Sequence, residues 1–241
     1  MRAAAVVCTY GRAELGELLA CVARQTLELP TLVYLDGARV AFDSLPPSVD
    51  VCAGPRASSL GMLRRTAVDV ARVEYELGEL DAVLVLDDDD FYSSQHYELT
   101  LRALELAGPN GWTGALAMGF QLDGGPLELV HGEAGVGQHA TWSYRLGAYD
   151  AAGGYLDVHQ DEDTALGHSL GWKNCRAHHY VTHVRRQHSS SISSARVNFD
   201  RELVRSLTRC PPVVRPLWTP ELEQLERWCV GETLELATPR P

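Results

Sequence analysis

Four consecutive carboxylates, Asp87-Asp88-Asp89-Asp90, stand directly behind the apolar run Ala82-Val83-Leu84-Val85-Leu86. Adjacent negative charges repel one another, and their juxtaposition gains nothing unless a cation or cationic ligand compensates them. A metal is the natural compensator, and a solvated acidic loop is the reading that the tetrad alone leaves open. An EF-hand-like use of Asp87, Asp89 and Glu98 fails on backbone grounds, because the loop position that needs glycine is Tyr92. Two further acidic positions follow the same logic of place. Asp36 ends an apolar run just before Gly37, and Glu162-Asp163 precede Leu166 and Leu170 at helical spacing. Acids are favoured at a helix N terminus by the peptide dipoles, and Asp161 is available there as the cap.

The elements that must position these acids form an α/β pattern. Residues 82–86, apolar throughout, read as a central parallel strand whose C-terminal end opens into a polar site. Residues 3–9 and 31–35 read the same way. Between them Leu15, Leu18, Leu19 and Val22 recur at the spacing of one helix face, which makes a βαβ unit. Ligands of such sheets bind at the C-terminal strand ends, so Thr9, Tyr10, Arg12 and Asp36 are expected to share a rim with the tetrad. A helix capped by Ser58 or Ser59 and reaching about Glu76 turns Leu60, Leu63, Ala67 and Val70 inward, with Arg64 or Arg65 aimed at that rim. Another helix buries Tyr97, Leu101 and Leu104.

Beyond the turn Pro109-Asn110-Gly111 the pattern becomes strand-rich, with runs at 115–122, 127–130 and 140–146 that would wall a pocket as antiparallel or mixed additions. Residues 176–184 read as a last strand running into a Ser-rich loop. From about Asn198, two short amphipathic helices (203–207 and 222–229) suggest packing or oligomer contact. Trp112, Trp142 and Trp172 can stack on sugars or pack in the core.

Composition narrows the class. The 241 residues are 45% hydrophobic and 22% charged, ordinary for one folded domain with a small appendage, and the net charge of −11 disfavours broad binding to nucleic acid or anionic membrane. No run approaches the roughly 20 apolar residues of a membrane helix. The apolar start is interrupted by Tyr10-Gly11-Arg12-Ala13-Glu14 too early for a signal peptide. Six cysteines without Cys-x-x-Cys spacing fit reduced thiols. A cytoplasmic protein is expected.

The ordered set Val6-Val7-Cys8-Thr9-Tyr10-Gly11-Arg12, Val33-Tyr34-Leu35-Asp36-Gly37, Leu86 with the tetrad, Gly153-Gly154-Tyr155 and Glu162-Asp163 resembles the family-2 glycosyltransferases of the GT-A fold, over about residues 3–195. The resemblance implies a GT-A (Rossmann-like) mixed, mainly parallel sheet flanked by helices, here with a short helical C-terminal extension. It divides the chain into 1–108 for the nucleotide sugar, 109–197 for the acceptor, and 198–241 as the extension.

The resemblance also implies roles. Thr9, Tyr10, Arg12 and Asp36 hold the nucleotide, and Arg64 and Arg65 are candidates for its phosphates. Asp87 and Asp88 face the nucleotide sugar, and Asp89 and Asp87 bind Mn²⁺ or Mg²⁺. His188, in preference to His183, completes the metal shell. Asp163 is the catalytic base beside Glu162. The expected activity is inverting transfer from a UDP-sugar to a hydroxyl of a glycan, metabolite, protein or modified nucleobase. A sugar-nucleotide nucleotidyltransferase and a non-catalytic nucleotide-sugar or glycan-binding protein are the alternatives, the first disfavoured by the single glycine after the first strand.

Overall fold

The computed structural model describes residues 1–75, 80–115, 117–122, 125, 128–131, 139–178, 182–187, 213–214 and 223. In chain order the first half runs β1 (Ala3–Thr9), α1 (Leu15–Ala23), β2 (Thr31–Asp36), β3 (Ala41–Phe42), β4 (Val49–Gly54), α2 (Leu60–Glu74), β5 (Ala82–Asp87), β6 (Phe91–Tyr92) and α3 (His96–Ala107). The second half adds β7 (Trp112–Thr113), β8 (Ala117–Leu122), β9 (Glu128–His131), β10 (Ser143–Arg145), α4 (Leu146–Ala151), α5 (Glu162–Leu170), β11 (His183–Gln187) and β12 (Val213–Val214).

Six strands make the central sheet in the order β4-β2-β1-β5-β10-β7. β4, β2, β1 and β5 are mutually parallel, and β10 alone runs the other way, antiparallel to both β5 and β7. Alternation along the central strands explains their unbroken hydrophobicity. Ala82, Leu84 and Leu86 pack on one face with Leu15, Leu18 and Leu19 of α1 and Tyr97, Leu101 and Leu104 of α3. Val83 and Val85 pack on the other with Leu63, Ala67 and Val68 of α2. Full burial of each such aliphatic side chain contributes about 1.5–3 kcal/mol, so a strand sandwiched between helices has little use for polar residues until it leaves the core. The register pairs Cys8 with Asp87, which sets the acids at the end of β5 beside the end of β1.

A second sheet, β6-β11-β8-β9, stands beyond the tetrad, and β12 pairs in parallel with β3. The expected strand at 140–146 is instead a 3-10 turn (His139–Thr141), the short β10 and then α4. Trp142 lies between turn and strand, its carbonyl accepting from Val85 N–H and its N–H donating to His139 O, so the run is tied to the sheet without being one strand. Around the strand expected at 176–184, Cys175 and His178 make isolated parallel bridges to Trp112 and Ala115, with the Arg176 and His178 N–H groups donating to Trp112 O and Gly114 O, β11 covers His183–Gln187, and residues 179–181 lie outside the described residues. The helices expected at 203–207 and 222–229 lie outside the described residues, apart from Glu223. Among the described residues no helix is long and apolar enough to cross a membrane. Cys8, Cys21, Cys52 and Cys175 are free thiols.

Two contacts hold the segment before α5 against α2. Ser59 Oγ accepts from Met62 N–H at 3.1 Å, capping α2, and donates to Asp157 Oδ1 at 2.6 Å. Gly61 N–H donates to Val158 O at 3.1 Å. The approach is so close that a Cβ on Gly61 would lie 1.8 Å from the carbonyl oxygen of Leu156. Gly61→Ala should therefore cost about 1–3 kcal/mol by overpacking. Gly147→Ala, where a Cβ meets nothing within 4 Å, should be neutral within roughly 0.5 kcal/mol. Urea denaturation of both variants checks the contrast, and equal stabilities would contradict it.

Candidate active site

At the C-terminal ends of β1 and β5 lies a cleft of about 480 Å³. Tyr10 and Arg12 line one end. Arg64 and the tetrad form the floor, and Glu162 and Asp163 line the same cleft on the side of α5. The turn after β1 is built by Thr9, whose Oγ1 accepts from Gly11 N–H at 2.8 Å and donates to Asp88 Oδ2. That turn returns Arg12 over the acids, with Nη1 2.5 Å from Asp89 Oδ2 and 3.7 Å from Asp88 Oδ1.

The tetrad divides by exposure. Asp88 and Asp90 are 6% and 3% exposed, whereas the Asp87 and Asp89 side chains are 34% and 17% exposed. Asp90 accepts from Arg186 N–H at 2.8 Å and faces His183 Nε2 at 2.8 Å, so it ties β5 to β11. Arg186 stacks over Phe91, bonds Asp89 O through Nε and meets Glu17 through Nη1. Asp87 N–H donates to Tyr92 Oη at 2.8 Å, and that hydroxyl donates to Ala140 O at 3.2 Å.

Arg64 is the link across the cleft. Its Nη2 lies 3.3 Å from Asp87 Oδ1 and its Nε lies 3.2 Å from Glu162 Oε1. Burial raises the Glu162 carboxyl above its ordinary range, and Arg64 partly offsets this. Asp163, less buried, accepts from Thr164 N–H at 2.6 Å through Oδ1 at the start of α5. Burial pushes the Asp89 carboxyl up to about 8, Arg12 pulls it down, and the neighbouring Asp90, Asp88 and Asp87 push it up again. Cys8 also lines the cleft, but burial pushes its thiol up to about 12, which leaves it protonated and a poor nucleophile.

The structure thus brings Tyr10, Arg12, Arg64, Asp87, Asp88 and Asp89 together with Glu162 and Asp163. Three expected residues stand apart. Thr9 is buried beneath the floor and positions Asp88. Asp36 is buried behind the rim, its Oδ1 accepting from Ala57 N–H at 2.6 Å, and burial raises its pKa. Arg65 is exposed, one residue round α2 from the cleft-facing Arg64. His183 is fully buried against Asp90, and His188 lies outside the described residues. Asp161 occupies the N-cap of α5 with φ 60°, yet its side chain makes no capping bond. Trp112 and Trp142 pack on each other in the core, ring centroids 4.7 Å apart. His139, His159 and Gln160 line the cleft without having been singled out in the sequence, because isolated polar residues in turn-rich stretches carry no periodic signal.

Among the described residues no group of three or more His, Cys, Asp or Glu forms a ready-made metal cage. The donor set nevertheless suits a cation that travels with a diphosphate, since Mg²⁺ is usually held by one or two carboxylates plus substrate phosphates and water. Asp87 and Asp89, paired with Arg64 and Arg12, are the two more exposed carboxylates that could turn to a cation in the cleft, whereas Asp88 and Asp90 are buried against Thr9, His183 and the Arg186 amide.

The sheet order and the cleft at its C-terminal edge define a GT-A-like glycosyltransferase fold. Solved structures of S. aureus TarS share it. TarS 1–349 in complex with UDP-GlcNAc superposes with a TM-score of 0.59 at 14% identity, over 95% of this chain and 72% of that one. The TarS 1–349 complex with UDP gives 0.55 at 13% identity, over 95% and 71%. A longer TarS structure gives 0.58 at 11% identity, and the chain spans only 43% of its length. No family model matches the chain, and no curated protein sequence matches it.

Thr9→Val keeps the shape but removes the hydroxyl that serves both Asp88 and Gly11 N–H. It should lower unfolding free energy by about 1–3 kcal/mol. Thr9→Ser should recover most of that loss. Chemical denaturation of the two variants reads the difference, and a silent Thr9→Val would remove Thr9 from the site's support.

Proposed function

We propose that the protein is a nucleotide-sugar-dependent glycosyltransferase that transfers a sugar from a UDP-sugar to an acceptor hydroxyl with inversion at the anomeric carbon. What carries this reading is the placement of Asp87, Asp89 and Asp163 in a single cleft at the C-terminal strand ends. Clefts of this size suit small-molecule substrates, and open α/β sheets bind ligands at this edge. The UDP and UDP-GlcNAc complexes of the TarS structures support a uridine donor.

In this reading residues 1–108 bind the donor and 109–197 shape the acceptor pocket, with 198–241 as an extension that can support oligomer contact. Tyr10 and Arg12 face the nucleotide, and Arg64 grips a phosphate as a cation already held in position by Asp87 and Glu162. Asp89 and Asp87 would hold a Mn²⁺ or Mg²⁺ ion arriving with the diphosphate, which supplies Lewis-acid neutralisation of the leaving group. Asp163 accepts the proton of the attacking hydroxyl from the face opposite the leaving group. One displacement inverts the anomeric centre. Asp163 sits in the first turn of α5, where the peptide dipoles favour a negative charge. Glu162, buried and paired with Arg64, positions the guanidinium. The reaction is placed in the cytoplasm.

Titration with UDP-, GDP- and dTDP-sugars in the presence of Mn²⁺ tests the donor assignment. A UDP-sugar should bind and be slowly hydrolysed, and no binding or hydrolysis across the panel would overturn the reading. Asp163→Asn should lower transfer by at least ~10²-fold, in the range lost with a general base, with donor affinity preserved. Retained transfer would move the base elsewhere. Chelation by EDTA should abolish turnover reversibly, with Mn²⁺ restoring it, and unchanged turnover would remove the metal from the mechanism.

A further inference from the structure

One buried polar group in the cleft wall keeps an unpartnered nitrogen. His139 opens the 3-10 turn ahead of β10, is 6% exposed, and lines the cleft on the side of Tyr155 and α5. Its ring packs against Trp142 and Tyr155, with centroids 5.1 and 5.6 Å away, which fixes its plane. Tyr155 arrives there because Gly153 and Gly154, at φ 83° and 70°, reverse the chain after α4 through a conformation that side chains resist. Nε2 of His139 is 2.7 Å from Tyr155 Oη, and Tyr144 Oη donates to that same hydroxyl at 3.4 Å.

Tyr155 accepts from Tyr144, which leaves its own proton available to Nε2 of His139; in that arrangement the imidazole proton resides on Nδ1. Burial, reinforced by Arg64, lowers the His139 pKa far below its ordinary value and keeps the ring neutral. Nδ1 is buried and has no hydrogen-bond partner among the described residues. Buried donors of this kind are rare in folded proteins unless a ligand or solvent molecule completes them.

We propose that His139 carries its proton on Nδ1, its Nε2 accepting from Tyr155, and that this Nδ1–H donates to an acceptor oxygen on the transferred sugar, a ring hydroxyl or an acyl carbonyl, and so selects among donor sugars. This rests on the nucleotide-sugar reading above. The diphosphate is drawn to the guanidinium groups of Arg12 and Arg64, and a neutral imidazole offers phosphate no charge to pair with. A polyhydroxyl ring, which offers donors to Glu162 and acceptors to His139, fits that wall. Tyr155 is a positioning residue that acts by fixing the tautomer.

Calorimetric titration with UDP, UDP-glucose, UDP-galactose and UDP-GlcNAc, each with Mn²⁺, tests the assignment on the wild type, His139→Leu, His139→Asn and Tyr155→Phe. The wild type should bind at least one UDP-sugar about tenfold more tightly than UDP, the worth of a good hydrogen bond. His139→Leu should bring that ratio near one while UDP affinity holds within about threefold. His139→Asn, which offers an N–H at the same place, should keep the ratio, and Tyr155→Phe should lose part of it. An unchanged ratio in His139→Leu, a wild-type ratio near one, or loss of UDP and UDP-sugar binding alike in His139→Leu would each overturn the proposal while leaving the transferase reading standing. Failure of the wild type to bind UDP at all would overturn both.

Discussion

Charge compensation at the end of β5 is the constraint on which the cleft depends. Four adjacent carboxylates can stand behind a buried strand only if cations or hydrogen-bonding groups meet them, and the fold delivers these from separate parts of the chain. Arg12 comes from the turn after β1, Arg64 from α2, and His183 and the Arg186 amide from β11. Each pairing also fixes an element. The Thr9 to Asp88 bond locks the β1 turn, and the Asp90 contacts join the second sheet to the first. Asp87 and Asp89 remain the two acids turned toward the cleft. A buried charge whose partner is removed costs several kcal/mol, so these pairs bear on the shape of the cleft as well as on its chemistry.

The same logic places Glu162. Its carboxylate is buried, and Arg64 reaches it only because α2 and the segment before α5 approach closely at Gly61. The Ser59 cap and its bond to Asp157 hold that approach. Asp163, one residue further on, is left to the cleft. Neighbouring acids thus take different parts because one is fastened to a guanidinium and the other to the start of a helix.

Much of this was legible in the sequence, for reasons that can be named. The strands at residues 3–9, 31–35 and 82–86 are apolar on both faces because helices cover both faces, and that signal survives without any knowledge of tertiary structure. Leu15, Leu18, Leu19 and Val22 declare α1 by spacing alone. The structure gives the tetrad a split, with Asp87 and Asp89 more exposed than Asp88 and Asp90, along the alternation expected of residues leaving a strand. What stayed hidden depends on long-range contacts. Asp36 points to Ala57 N–H rather than into the cleft, Thr9 supports from below, and the run at 140–146 breaks because Trp142 and His139 answer to the sheet and to Tyr155. The place of His139 is legible only once Tyr155 is seen to meet both its ring and Tyr144.

The central claim is that Asp87 and Asp89 meet a metal-bound diphosphate on the floor that Arg12 and Arg64 now neutralise. A crystal structure with UDP-GlcNAc and Mn²⁺, with anomalous data collected for manganese, tests it most directly. The account predicts a manganese peak between the Asp87 and Asp89 carboxylates and the diphosphate, with the sugar turned toward Asp163. Nucleotide bound outside this cleft, or manganese away from both carboxylates, would contradict it.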